Sequence, residues 1–373
     1  MTGLSALRFH TLHIPFRERF RHASAERNAT SSVWVEAIGA DGRIGVGEAC
    51  PRPYVTGETL ESAAAFFSAV RAGVLADIRD ADTLRAWLAG HAALIDRHPA
   101  AWCAIELALV DLFARQAGRT AEAWLGLPET AGRFTYSAVL GDADLPAFAA
   151  TVARYRDVGM NDFKLKLSGD LARDRAKLAV LRDAGPAVAR LRLDANNLWQ
   201  DPARALAYLE ALDAPVFAVE EPLSTGLRAA LPALAQASGL AVILDESLCR
   251  IEELDGLSPG TRWIPNLRVS KLGGVLRTLA LVDAARARGL PLIIGAQVGE
   301  TSLLTRVALV AARAAGEALL AQEGAFGTLL LERDVCEPPL MFGRGGALSF
   351  ESGGAGWGLA CKPDAAWLRE APA

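Results

Sequence analysis

Histidine is scarce in this chain, and its placement excludes more than its number does. All five histidines (His10, His13, His22, His91, His98) fall before residue 99 of the 373. The long remainder therefore cannot build the imidazole-rich sites of zinc hydrolases, which leaves lysine as its obvious base. The five cysteines (Cys50, Cys103, Cys249, Cys336, Cys361) are odd in number and widely spaced, with no C-x-x-C pair. That usage predicts reduced thiols in a cytoplasmic protein. Neither G-x-G-x-x-G nor G-x-x-x-x-G-K-[ST] occurs, so the usual glycine-rich phosphate cradles are excluded. With a formal net charge of −4 and no basic block, nucleic acid is not an expected partner. No uncharged apolar run reaches ~18 residues, so no membrane span is expected. The stretch Met1–Arg21 is broken by charges and Pro15, unlike a signal peptide.

What is present is apolar bulk. Hydrophobic residues make up 51% and charged residues 22%, enough for a large core. The length suits a barrel of about 250 residues with a smaller domain beside it. Residues 5–50 alternate as strands, with Val33, Val35 and Ala37 followed, after the turn Ala40-Asp41-Gly42, by Ile44 and Val46. Between these strands lies Phe16–Thr30, rich in arginine (Arg17, Arg19, Arg21, Arg27). It reads either as a solvated loop or as a lid bearing substrate contacts, and Pro51–Gly57 with Tyr54 poses the same choice. Helical patterns follow at Leu60–Val74, Thr83–Ile95 and Ala100–Gln116. Glu106 and Asp111, on the last of these, read as surface or structural charges. Residues 1–130 thus predict a small α+β domain.

From Phe134 the rhythm becomes strand, helix, strand. Eight strand candidates occur at 134–140, 163–168, 190–195, 216–221, 241–246, 266–271, 291–296 and 318–323, with helices such as Leu171–Ala184 and Pro202–Leu212 between them. This predicts an α/β fold with a (β/α) barrel over 131–325. The Gly/Pro-rich segment 326–373 is expected to return to the first domain, with strand pieces at Leu329–Leu331 and Ala347–Phe350.

Five of the strand candidates end in charge: Lys164 and Lys166, then Asp194, Glu220, Asp245 and Lys271. Counted from Lys166, successive spacings are 28, 26, 25 and 26 residues, which brings each charge to the same end of one parallel sheet. Three carboxylates converging there form an oxygen-rich point suited to a hard dication such as Mg²⁺. Any one alone could cap a helix; three at matching positions point to a site. Lys164 and Lys166, two apart on a strand, share the lumen face, while Phe163, Leu165 and Leu167 fill the other. Two ammonium groups in one site, and a nearby dication, should lower each other's pKa, making a lysine available as general base. Asn196, Glu221 and Glu246 read as partners of the candidate ligands.

The motifs K-L-K (164–166), D-A-N (194–196), E-E-P (220–222), D-E-S (245–247) and S-K-L-G-G (270–274) resemble the enolase superfamily. The lysines are similar to its muconate lactonizing enzyme subgroup, within the mandelate racemase/muconate lactonizing enzyme family. The helix Ala101–Gly118, the run Gly45–Ala49, and Gly299-Glu300-Thr301, placed on strand seven, add to the likeness. The resemblance implies an N-terminal α+β capping domain over a (β/α)7β TIM-like barrel. It implies Mg²⁺ or Mn²⁺ on Asp194, Glu220 and Asp245, with Lys166 and Lys271 as acid/base pair and Lys164 tuning Lys166. Arg21, Tyr54, Gln297, Glu300 and Glu323 become candidate substrate contacts, and the chain an expected homo-oligomer. The expected reaction is proton abstraction α to the carboxylate of a small molecule. Racemisation or epimerisation of an N-acyl amino acid or dipeptide stands first; muconate-type cycloisomerisation and dehydration of the o-succinylbenzoate synthase type are the alternatives. Dipeptide epimerases of the subgroup carry Asp-x-Asp after strand eight. Here that place reads Gln322-Glu323-Gly324-Ala325, which points away from a free-amine dipeptide.

Overall fold

Apolar strand runs separated by amphipathic helices can close compactly as a parallel sheet curled with its helices outside. The computed structural model, which describes the backbone of residues 3–22, 25–183 and 190–370, has that architecture. Eight strands, Ala138–Leu140, Asp162–Lys166, Arg190–Asp194, Ala218–Glu220, Ala241–Leu244, Trp263–Leu267, Leu292–Ile294 and Leu319–Gln322, lie side by side in chain order. We number these barrel strands one to eight. Ser137 N donates to Gln322 O at 2.8 Å, bringing the two edges together. Among the described residues the helices after strand eight are only short 3₁₀ turns, as (β/α)7β predicts. Beneath the charged rim the lumen is filled by small and branched side chains, Ala218, Ala241, Ile243, Ile264, Ile293 and Ala321.

A separate four-stranded sheet is built from Leu4–Leu12, Ser32–Gly39, Ile44–Ala49 and, from the far end of the chain, Leu368–Glu370. The helix Pro99–Gln116 lies on it, buried on every face. Glycine is required at the contact. A Cβ on Gly47 would stand 2.0 Å from Ala104 O, and one on Gly45 2.3 Å from Ala108 O. That close approach accounts for the Gly-Val-Gly spacing.

The two sheets are joined by buried carboxylates. Glu48 accepts hydrogen bonds from Thr301 N and Oγ1 at the start of the barrel helix Ser302–Ala315. Glu106 accepts from Leu276 N (3.0 Å) at the start of the helix Val275–Ala287. Glu106 and Asp111 are fully buried, not surface charges, because each satisfies backbone donors of another element. A negative group at a helix N-terminus is favourable, yet burial pushes Glu48 up to about 8 and Glu106 to about 7.

Several boundaries differ from expectation. Phe16–Thr30 is not a loop: Pro15–His22 and Ala25–Ala29 pair as a hairpin, with Phe20 opposite Arg27. Arg17 ties its base to the carbonyls of Leu331 and Glu332. Residues 134–140 divide, because Gly132–Thr135 pairs with Ala347–Phe350 outside the barrel. Thr83–Ile95 breaks at His91 into two helices. Leu329 belongs to a 3₁₀ turn, and Gly299–Thr301 to the loop after strand seven. No described helix is long and apolar enough to cross a membrane.

Candidate active site

The charged row follows from register. Lys166 pairs with Asp194, and Asp194 with Glu220, on strands two, three and four. Residues paired across neighbouring strands share a face, so these three side chains line one rim. Asp245 extends the row: it lies two residues beyond Ile243, the partner of Glu220. All three carboxylates are fully buried. Lys271 departs from expectation, sitting four residues past strand six on the short helical turn Val269–Leu272. In a ring of eight, strands two and six stand opposite, so Lys166 and Lys271 approach from opposite sides.

Each carboxylate is held by cations. Lys166 Nζ is 2.8 Å from Asp194 Oδ2 and 2.8 Å from Asn196 Oδ1. Lys164 Nζ contacts Glu220 (3.1 Å), Asp194 (3.4 Å) and Glu323 (2.7 Å). Lys271 Nζ reaches Asp245 Oδ1 (3.0 Å) and the carbonyls of Asp245 and Asn266. Arg268 pairs with Asp245 and lies 3.7 Å from Glu220.

Burial opposes charge throughout, and the partners decide the outcome. Burial, reinforced by Asp194, Glu323 and Asp245, pushes Glu220 up to about 8 despite Lys164. Asp194 is buried too, yet Lys166 and Lys164 hold it below the usual carboxylate range. Glu323, against its own burial, is drawn down to about 2 by Lys164 and Arg192. Burial disfavours charge on Lys164, but Glu220, Glu323 and Asp194 outweigh it and hold the ammonium well above the lysine range. The expected lowering of Lys164 by Lys166 is therefore overturned, because three carboxylates surround it.

Glu221, at φ +38°, turns away from the row. Its Oε1 accepts from Asp245 N (2.6 Å), Ser247 N (2.8 Å) and Ser247 Oγ (2.7 Å), which fixes the D-E-S turn. Two arginines escaped the sequence reading. Arg192 pairs with Glu323 and Asp162 inside the barrel, and Arg268 with Asp245 and Gln297. A signal for Arg192 existed: it lies two residues before Asp194, in the same lumen-facing phase.

A cavity opens above the row, bordered by Lys164, Lys166, Asn196, Glu246, Arg268, Gln297 and Glu323 on its polar side. Phe20 of the hairpin, Tyr54, Val139, Val298 and Phe326 form its apolar wall. Of the candidate substrate contacts, Tyr54, Gln297 and Glu323 line this cavity. Glu300 does not line the cavity; its carboxylate turns back to accept Gln297 N. Lys271 does not border it either, enclosed by its three acceptors. The side chain of Arg21 lies outside the described residues. Arg27, opposite Phe20 in the hairpin, stands 5.9 Å from the Tyr54 ring. Fully buried Arg52 donates to the carbonyls of Thr30, Ser31, Pro51 and Val298, tying the end of the hairpin and its own loop to the loop after strand seven.

The donors suit a hard divalent ion: three buried carboxyl groups at the ends of consecutive strands, with no imidazole or thiolate among them. Glu246 Oε2, also at the cavity, is buried without a hydrogen-bond partner. As they stand, no three His, Cys, Asp or Glu among the described residues are grouped closely enough to hold one ion. Lys164 lies between Asp194 and Glu220, and Arg268 between Glu220 and Asp245.

The sequence matches the family described as Enolase C-terminal domain-like over residues 147–365. The chain belongs to the enolase superfamily. Within it, the mandelate racemase/muconate lactonizing enzyme group is the one its relatives share. An aromatic dipeptide epimerase of Herpetosiphon aurantiacus is 31% identical over 80% of this chain and 83% of its own length. The dipeptide epimerase of Cytophaga hutchinsonii, solved with Mg and the dipeptide D-Ala-L-Val, superimposes with a TM-score of 0.86 at 23% identity, covering 99% of both chains. A muconate lactonizing enzyme of Pseudomonas fluorescens, solved with muconolactone, gives 0.87 at 24% identity, covering 99% of this chain and 100% of that one. The epimerases and cycloisomerases of the superfamily among its relatives make this chain an isomerase.

Proposed function

We propose that the chain is a divalent-metal-dependent racemase or epimerase of an amino-acid derivative, an N-acyl amino acid or a dipeptide. The observation that carries this reading is the row Lys166, Asp194, Glu220 in register across three strands, with Lys271 across the ring. Asp194, Glu220 and Asp245 would hold Mg²⁺ or Mn²⁺; when bound, the ion offsets charge that builds on the substrate carboxylate as the α-proton leaves. Lysine bases working beside a divalent ion are a general feature of enolase-type sites.

Lys166 borders the cavity and is the proposed base on one side of the α-carbon. Asp194 and Asn196 orient its nitrogen, leaving one position for the proton in transit. Lys271 would return or remove the proton on the other side. Lys164, held as an ammonium among Glu220, Glu323 and Asp194, supplies standing positive charge beside the carboxylates of the row.

Both oxygens of Glu323 are taken, one by Lys164 and one by Arg192, so it is not a free acceptor for a substrate ammonium. This favours an acylated, uncharged substrate nitrogen. The epimerase relatives favour a dipeptide. A panel of both classes incubated in D₂O, read by loss of the α-proton signal, tests the proposal. Exchange from both configurations of one substrate is expected.

One observation favours a second reading, cycloisomerisation. Lys271 has three acceptors within 3.0 Å. A nitrogen so held suits a fixed cation better than a mobile base, and a one-base reaction would need no more.

A further inference from the structure

We propose that Cys336 and Cys361 are a modification site, a thiol pair that closes to a disulfide by exchange with a small disulfide such as oxidised glutathione. Their sulfurs are 3.1 Å apart, the two thiols sharing a hydrogen bond. About 1 Å of further approach reaches the S–S bonding distance of ~2.05 Å. The other three cysteines, Cys50, Cys103 and Cys249, are hydrogen-bonded to Ser32, to Glu48 O and to Glu246 O respectively.

The backbones that would carry the bond are already side by side. Lys362 N donates to Val335 O at 2.7 Å, directly beside the pair. Cys336 N donates to Asp334 Oδ1 (3.1 Å), and the same carboxylate accepts Ser302 N at the start of the helix Ser302–Ala315. On the other side of the contact, Trp357 is fully buried; its backbone N–H donates to Asp111 and its indole to Leu107 O. Both segments are therefore held before any bond forms.

Access and chemistry assign the order of events. Cys336 is buried at 6% exposure, while Cys361 is partly exposed and meets the oxidant first. Its thiolate attacks one sulfur of glutathione disulfide, forming a mixed disulfide and releasing one glutathione thiolate. The Cys336 thiolate then attacks the Cys361 sulfur and releases the second. Two electrons pass from the pair to the oxidant, and the two thiol protons pass to the released thiolates. The hydrogen bond to Cys336, then burial, hold the Cys361 thiol up, so the exchange is slow.

The bond would join residues 25 apart in sequence. It would fasten the tail, whose strand Leu368–Glu370 edges the capping sheet, to the start of a barrel helix. Removing the freedom of that loop from the unfolded chain stabilises the folded one.

The full chain is equilibrated with oxidised glutathione, quenched in acid, and its thiols are alkylated in denaturant. Alkylatable thiols should fall from five to three, with an intact mass lower by about 2 Da and one cross-linked peptide pair joining Cys336 to Cys361. The thermal midpoint should rise by a few degrees and return on reduction. In Cys336→Ser, where no resolving thiol remains, glutathione should stay attached at Cys361. Five alkylatable thiols after equilibration, or a cross-link between other cysteines, would overturn the proposal. So would a stable glutathione adduct on Cys361 while Cys336 is intact.

Discussion

Lys164 Nζ lies 2.7 Å from Glu323 Oε2, a contact between the middle of the second barrel strand and the end of the eighth. It links the lysine pair to the buried Arg192–Asp162 group, because Glu323 Oε1 receives Arg192 at 2.7 Å. The charge beside the proposed base is thus set from the far side of the first strand. Glu323→Gln should loosen Lys164 and leave Arg192 only Asp162 as a carboxylate partner. Proton exchange should fall by ~10–100-fold, the usual cost of losing a group behind a working one. Unchanged exchange rates in a folded variant would remove Glu323 from the machinery.

The two proposed bases separate by configuration. Lys166→Ala should lose exchange from one enantiomer and Lys271→Ala from the other, each by ~10²–10⁴-fold. If a single variant stops exchange of every substrate from either configuration, a one-base reaction is in operation.

Ion binding is tested apart from turnover. Glu220→Gln should weaken Mg²⁺ binding by at least ~100-fold in calorimetry, since it removes a proposed ligand outright. The barrel should survive, because glutamine keeps the size of the buried side chain and its carbonyl can still accept from Lys164 and Asn266 Nδ2. Undiminished affinity would sink the assignment.

Arg27 stands behind the apolar wall of the cavity without lining it. Its hairpin partner Phe20 and its neighbour Tyr54 both line the cavity. Its Nε is buried without a hydrogen-bond partner, and Arg52 adds like charge. Arg27→Met should therefore raise KM ~10-fold or more for substrates with a second anionic group, and leave neutral ones little changed. Equal effects on both classes would show that Arg27 only supports the hairpin.

Glu48 gives stability a pH dependence of known sign. Burial raises its carboxyl to about 8 in the folded chain, against 4.5 for the unperturbed group. The folded state then binds a proton more tightly than the unfolded one. The contribution is whole below about pH 4.5 and is lost as pH rises toward about 8. Wild type measured against Glu48→Gln by urea unfolding should lose relative stability across that window. A difference independent of pH would mean that Glu48 does not titrate there.

The strand-end charges were legible because a parallel sheet repeats at a nearly constant interval and a strand alternates every second residue. Those two periods sufficed to set Asp194, Glu220 and Asp245 along one rim and to orient Lys164 and Lys166 inward. The Gly-Val-Gly-Glu run was visible as a pattern, but its reason, a helix backbone within van der Waals reach, exists only after packing. Arg192 could not be assigned to Glu323, since that pair joins residues 131 apart across the closure of the ring, and Arg268, one residue past strand six, lies outside the strand alternation that would have aimed it at Asp245. The polarity of Phe16–Thr30 resembled a loop because arginines on a two-stranded ribbon carry no core-facing alternation. Only its docking against Leu331 and Glu332 made it a strand pair at the cavity. The sequence alone determined which groups stand at the barrel rim, because local periodicity fixes direction. Tertiary structure decided their charge states and partners, because burial and distance between remote segments set those.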